Sequence, residues 1–359
     1  MSDSFRNRMI DINNLSAYDN SSIAENAGGK FKDFRNVADF VLGILCVLLI
    51  PCICFGNFLV IISLVKFRRL RTITYILVGS LSVADSLLAV ITLPVYSLFY
   101  FKLTFVQSVK YLCLFKFSSV CASMSASMIN LVAIGFDRYV AILHPLKYKT
   151  ILTHKRVRIF IVCMWIYIVP VCILPLVWNS YDEIQICDYF KILPLAYTLY
   201  AAFFSIGISL VFSLFLYIRI FLVARQQQKQ VRKDSLRGNH RIDKQMEKDT
   251  NSAKVMALVL FLFYIFWVPF TIIGPIKYSV KIDNDLSETL KNITLFLAMS
   301  NSMINPIIYC WLRREFREAF RAICIDSCCF NIKTNRKESF GNSLLFNSIS
   351  AEQKEEAKP

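Results

Sequence analysis

Seven long apolar stretches, near residues 39–65, 73–99, 111–136, 157–178, 193–224, 253–277 and 289–311, limit what this chain can fold into. Each is long enough to cross the roughly 30 Å hydrocarbon core of a bilayer as a helix rising about 1.5 Å per residue. In lipid a backbone must satisfy its own hydrogen bonds, so isolated apolar stretches of this length become helices. The loops between them are short, which favours one bundle over separate domains. Hydrophobic residues fill 56% of the 359 positions, against roughly 45–50% in soluble domains, and the surplus needs lipid to absorb it. The expected fold class is an all-α membrane protein, a seven-transmembrane-helix bundle.

The net charge of +16 invites a nucleic-acid reading, but its placement argues against one. Lys66, Arg68, Arg69 and Arg71 follow the first stretch, and Lys147, Lys149, Lys155, Arg156 and Arg158 follow the third. A basic run from Arg225 to Lys244 follows the fifth, and Arg313, Arg314, Arg317 and Arg321 follow the seventh. The alternate loops carry Asp182, Glu183, Asp188, Asp283, Asp285 and Glu288. The positive-inside rule then puts the amino terminus outside a multi-pass protein of the plasma membrane. The expected organisation is an extracellular tail over 1–37, the bundle over 38–311, a short amphipathic helix at the membrane surface over 312–325 and a disordered cytoplasmic tail over 326–359. The first 36 or so residues hold no signal-peptide core, so the first span itself is expected to direct insertion. Asn14 and Asn20 begin glycosylation sequons on the outer side, although either can arise by chance.

Asp137-Arg138-Tyr139 stands at the inner end of the third stretch, with Arg138 25 residues after Cys113. That is roughly 37 Å of helix, so Cys113 and Arg138 lie at opposite faces of the membrane. Further marks are Gly56-Asn57, Leu81-Ser82-Val83-Ala84-Asp85, Trp165, Phe266-Trp267-Val268-Pro269 and Asn305-Pro306-Ile307-Ile308-Tyr309. In this order and spacing, from Gly56 to Phe320, about three quarters of the chain resembles the rhodopsin-like family of G protein-coupled receptors. The resemblance implies an extracellular small-molecule or peptide ligand, a heterotrimeric G protein inside, and arrestin and a receptor kinase as further inner partners. Most of the 12 cysteines lie in spans. Cys113 and Cys187 face the oxidising side and are expected to form a disulfide.

Asp85 is the only ionisable residue between Thr74 and Phe101, so it must face the bundle interior and find partners. The resemblance implies a sodium ion there, with Ser127, Asn301, Ser302 and Asn305 around the carboxylate. A protonated carboxyl or a water network is the alternative. Arg138 is expected to pair with Asp137 and with Asp249 at the entry to span six, which in related receptors latches spans three and six at rest. A solvated surface pair is the bland reading of the same residues. Pro269 removes a backbone hydrogen bond beside Trp267 and Phe263, and Pro306 does so near Tyr309, so both helices are expected to hinge there. Span five keeps Tyr217 but carries Ser209 where the family usually has proline. Phe316 and Phe320 share a face among arginines, the pattern of an interfacial helix. Cys324, Cys328 and Cys329 follow where palmitoylation would add an anchor in the membrane lipids, with unmodified thiols as the alternative.

Within the family, the segment from Tyr217 to Arg225 and Arg314-Glu315-Phe316-Arg317 look most like adenosine receptors. Their ligand-contacting asparagine and histidine correspond here to Gly274 and Met299, which cannot orient a purine. The aspartate that amine receptors pair with an ammonium is Val120, and the retinal lysine of opsins is again Met299. The expected pocket comprises Val120, Cys121, Met124, Tyr189, Ala201, Ala202, Trp267, Phe270, Thr271, Gly274, Leu295 and Met299, apolar and roomy. Lys116 is the one basic side chain expected to reach it, with snorkelling to the outer surface as the alternative. Nucleoside, amine, lipid and peptide ligands all stay open. A transporter or proton pump would need a relay of intramembrane ionisable groups, and beyond Asp85 the spans offer almost none. His144, His154 and His240 all fall in inner loops and no nucleophile or metal constellation appears, so neither an enzyme nor a cofactor, sodium aside, is expected.

Overall fold

Among the described residues, apolar runs flanked by charge give seven helices long and apolar enough to cross a membrane: Phe34–Lys66, Ile73–Tyr100, Lys110–Leu143, His154–Ile184, Ile208–Gln226, Thr250–Lys277 and Asn284–Leu312, hereafter spans one to seven. The computed structural model describes the backbone of residues 3–184, 187–200, 206–234, 240–280 and 283–325. Side chains within helices at 3–33, 104, 198, 200, 227–234, 240–249 and 278 are outside that description. The backbone helix that holds span one is continuous from Asp3 to Lys66, so it includes the segment expected as a tail. Residues 326–359, with Cys328 and Cys329, lie outside the described residues.

Spans two and three form the centre. About two thirds of each apolar window is buried in protein, against 17% for span four, whose exposed Val162, Ile166, Tyr167 and Val169 suit contact with lipid. Pro94 removes an N–H and crowds the preceding turn. Span two answers with a π-helical turn over Leu88–Thr92, immediately before Leu93–Tyr100, a widening that takes up such a defect.

Gly56 shows why the first motif needs a residue without a side chain. A Cβ built there would fall 2.9 Å from Cβ and Cγ of Pro306, so spans one and seven meet backbone against ring. Asn57 completes the joint by donating Nδ2 to the carbonyls of Ile53 (3.0 Å) and Ser302 (3.2 Å). In span five a π-helical turn at 206–207 precedes Ile208. There Ser209 Oγ donates to the Ile206 carbonyl at 2.9 Å, so a bulge exists without proline.

The helix at 314–325 turns its apolar face up under the bundle. Phe316 is fully buried, stacked on Tyr309 at 5.9 Å and edge-on to Tyr75 at 5.0 Å. Its polar face pairs Glu318 with Arg314 (2.8 Å) and Arg69 (2.9 Å). Arg314, followed by Arg69, holds the Glu318 carboxyl below its ordinary range. Cys324 is exposed in the last turn of this helix.

Candidate functional site

Three polar groups lie along the bundle axis, and each is built from helices the sequence keeps far apart. At the inner end Asp137 and Arg138 are 1% and 7% exposed. Asp137 therefore needs donors. It accepts from Arg138 Nε (3.0 Å) and Nη2 (2.6 Å), from Thr74 Oγ1 of span two (2.7 Å) and from the Tyr148 hydroxyl of the second inner loop (2.7 Å). Burial, then the Asp137 charge, raises the Tyr148 pKa, so the phenol stays protonated as a donor. Arg138 also donates to Thr74 Oγ1 and, through Nη1, to Ser252 Oγ of span six at 3.0 Å. Ser252 Oγ accepts a second bond from Arg313, where the surface helix begins. The side chain of Asp249, the expected partner, lies outside the described residues. Tyr139 points away, stacked on Phe136 at 6.3 Å. The hydroxyls of Tyr217 and Tyr309 are buried with no hydrogen-bond partner among the described residues.

Halfway across, three of the four residues expected around Asp85 hydrogen-bond to it. Its Oδ1 accepts from Ser302 Oγ (2.7 Å) and Ser127 Oγ (3.4 Å), and its Oδ2 from Asn305 Nδ2 (2.9 Å). Asn301 Oδ1 is buried with no partner among the described residues. One carboxylate, two hydroxyls and an unpartnered amide oxygen are the hard oxygen donors that suit a small cation such as sodium. No cluster of three or more His, Cys, Asp or Glu that could hold a metal ion occurs among the described residues.

At the outer end the residues expected around a ligand divide. Val120, Met124, Trp267, Leu295 and Met299 are all at most 4% exposed and belong to the main hydrophobic core. Of these, Leu295 also reaches the cavity above the core. Cys121 Sγ meets the Tyr197 hydroxyl at 2.6 Å, Thr271 Oγ1 donates to the Val268 carbonyl and Gly274 is buried. Ala201 and Ala202 lie outside the described residues.

Above this core opens a cavity of about 100 Å³ that is continuous with solvent and charged. Lys116, Tyr189, Phe270 and Leu295 line it, joined by Arg35, Asp39, Lys102, Glu288 and Lys291. Lys116 is buried rather than snorkelling outward. Sequence reading missed Glu288 and Lys291 because it placed Glu288 in a loop; their three-residue spacing on a helix was the available signal.

The Cys113–Cys187 disulfide forms, with Cα atoms 5.8 Å apart. It holds Tyr189 over the cavity. From Tyr189 a series of ring contacts runs inward to Phe270 (6.1 Å), Trp267 (6.2 Å) and Phe263 (5.9 Å). The outer loop is thus packed in continuous contact with the middle of span six.

Comparison with known proteins agrees with this geometry. The 7 transmembrane receptor (rhodopsin family) domain matches residues 56–309. Adenosine receptor A2a of Canis lupus familiaris is 30% identical over 287 residues, covering 75% of this chain and 68% of the relative. Alpha-1A adrenergic receptor of Oryzias latipes is 28% identical over 323 residues, 81% of this chain and 68% of the relative. Histamine H2 receptor of Rattus norvegicus is 28% identical over 321 residues, 85% of each.

Proposed function

The chain belongs to the rhodopsin family of seven-transmembrane receptors, and on that premise we propose where in this molecule each step of signalling takes place. It is a multi-pass membrane protein and a G protein-coupled receptor, which converts binding of an extracellular ligand into activation of a heterotrimeric G protein. We place it in the plasma membrane with its amino terminus outside, acting without catalysis of its own, and with arrestin and a receptor kinase as further partners at the inner face. The relatives' names point to adenosine and histamine, yet Gly274, Met299 and Val120 remove the groups that would hold a purine or an ammonium, so neither is proposed as the ligand.

One observation carries the switch assignment: the Arg138 guanidinium joins spans two, three and six through Thr74, Asp137 and Ser252. A buried, charge-assisted network across three helices has two discrete arrangements, made or broken, and so suits a two-state element. Ligand seated outside biases it through the ring series from Tyr189 to Phe263 and the hinges at Pro269 and Pro306. The test is nucleotide exchange on purified heterotrimers, using membranes that carry the wild-type chain or Asp137→Asn. Exchange above untransfected membranes on at least one G protein class is expected. Background rates on every class in both variants would overturn the assignment.

Asp85, Ser127, Asn301, Ser302 and Asn305 would hold sodium when it is bound, and the ion supplies a counter-charge that favours the resting arrangement. Replacing sodium by potassium at constant ionic strength is then expected to raise basal exchange about fivefold or more in the wild type, within the usual range of allosteric coupling. Asp85→Asn keeps the shape without the charge and should flatten that response. A wild type indifferent to sodium across a wide concentration range would remove the ion from the reading.

A further inference from the structure

We propose that the outer cavity binds a ligand carrying a carboxylate or comparable anionic group, held by the Lys116 ammonium, with an aromatic or apolar body against Tyr189 and Phe270. The inference deepens the receptor reading and rests on it. The lining holds four cations, Arg35, Lys102, Lys116 and Lys291, against two carboxylates, Asp39 and Glu288. Asp39 pairs with Lys102 at 3.0 Å, Glu288 pairs with Lys291, and Arg35 reaches Asp285 outside the lining. Lys116 alone among these cations has no carboxylate or carbonyl within hydrogen-bonding distance among the described residues. Yet it is 8% exposed.

The ammonium is surrounded by rings instead, with Nζ 4.1 Å from the centre of Phe99, 4.7 Å from Phe117 and 5.7 Å from Tyr96. Ring faces return part of the cost of removing a cation from water. They give no lone pair to its three N–H donors, whose acceptors must therefore come from what enters the cavity. An anion entering the cavity would satisfy both the charge and the donors. An amine ligand meets the poorer half of the lining, because Asp39 and Glu288 each already hold a lysine and only Glu288 Oε1 is left with no partner among the described residues. The position also suits a trigger: Lys116 lies one turn below Cys113, while Tyr189, held by the Cys113–Cys187 disulfide, packs on Phe117 at 5.5 Å and on Phe270 at 6.1 Å.

The full-length chain, purified in detergent, is tested by thermal unfolding with phenylacetate and indole-3-acetate. Phenylacetamide serves as the neutral isostere of the first, and phenethylamine as a cation of similar size. Both carboxylates are expected to stabilise the wild type at millimolar concentration more than the amide or the amine does. Lys116→Gln should raise their half-saturating concentration about 10- to 100-fold, the loss expected for one charge-assisted contact; Lys116→Arg should largely keep the effect. Without any carboxylate, Lys116→Gln should be at least as stable as the wild type, since it sheds an unmatched buried charge.

Any of these results would overturn the proposal: no stabilisation by either carboxylate, equal stabilisation by the amide, an unchanged Lys116→Gln response, or a carboxylate-independent loss of stability in Lys116→Gln. If Lys116→Gln fails to fold, the ring cage is structural and the proposal likewise falls. Exchange by Asp137→Asn does not involve the cavity. Carboxylate failure alongside elevated exchange in that variant would therefore sink the ligand class and leave the receptor reading standing.

Discussion

Cys187→Ser is expected to remove most of the chain from the cell surface, by about tenfold in surface labelling. The disulfide closes a separation of 74 residues, which in a free chain would contribute roughly 4–5 kcal/mol through lost loop entropy. Spans three and four already hold much of that loop in the bilayer, so the real contribution is smaller. Even about 1.4 kcal/mol changes a folded ratio tenfold, and cellular quality control responds to shifts of that size. The substitution also frees Tyr189 and Phe190 from the second outer loop, losing the rings that close the cavity against Phe117 and Phe270. Labelling of an amino-terminal tag on intact cells measures the effect, with Cys163→Ser, at an exposed free thiol, as the control. Equal surface density for Cys187→Ser and wild type would show that the loop holds itself in place.

The spans were legible because lipid leaves a long apolar run one choice, and span two was expected at 73–99 against Ile73–Tyr100 observed. Span three was expected to stop at 136 and runs to Leu143. Hydropathy falls at Asp137 and Arg138, but the helix continues because those charges satisfy each other and their neighbours. The π-helical turn before Pro94 was not anticipated, since a proline shows that a helix must adjust but not how. Asp85 and its partners were legible for a different reason: an intramembrane carboxylate must be solvated by something, and serines and asparagines at helical spacing on nearby spans were the available candidates.

The groups around Asp137 and Lys116 could not be read in the same way. Thr74 lies 63 residues from Asp137, and Ser252 lies 114 from Arg138; only the packing of the helices brings them together. Around Lys116, the residue types of span three could not say whether a basic side chain turned outward or in. The rings of Phe99 and Tyr96 on span two decide it. Of the residues expected around a ligand, Lys116, Tyr189, Phe270 and Leu295 line the outer cavity while Val120, Met124 and Met299 pack in the core, a division hidden in sequence because an apolar lining and an apolar core look the same there.

Asp137→Asn is expected to raise basal nucleotide exchange about tenfold at matched surface expression. Asn keeps the shape, with one acceptor oxygen for a donor and an NH2 that a reoriented Thr74 or Tyr148 hydroxyl can accept, but it removes the negative charge beside a guanidinium that is only 7% exposed. Arg138 would then be buried without its adjacent carboxylate, while sharing Ser252 with the cationic Arg313. Removing one partner of a buried pair costs up to about 3–5 kcal/mol, because the other charge loses part of its compensation. That cost falls on the closed network. Once span six separates from span three, Arg138 meets water or the G protein and recovers its solvation. If only about 1.4 kcal/mol of the cost distinguishes the two states, a small active fraction grows nearly tenfold. Tyr148→Phe removes one hydrogen bond, worth about 1 kcal/mol, and leaves the charge, so a smaller rise is expected. Asp137→Glu should stay close to the wild type. An Asp137→Asn receptor as quiet as the wild type would show that the network does not restrain span six, whatever its geometry suggests.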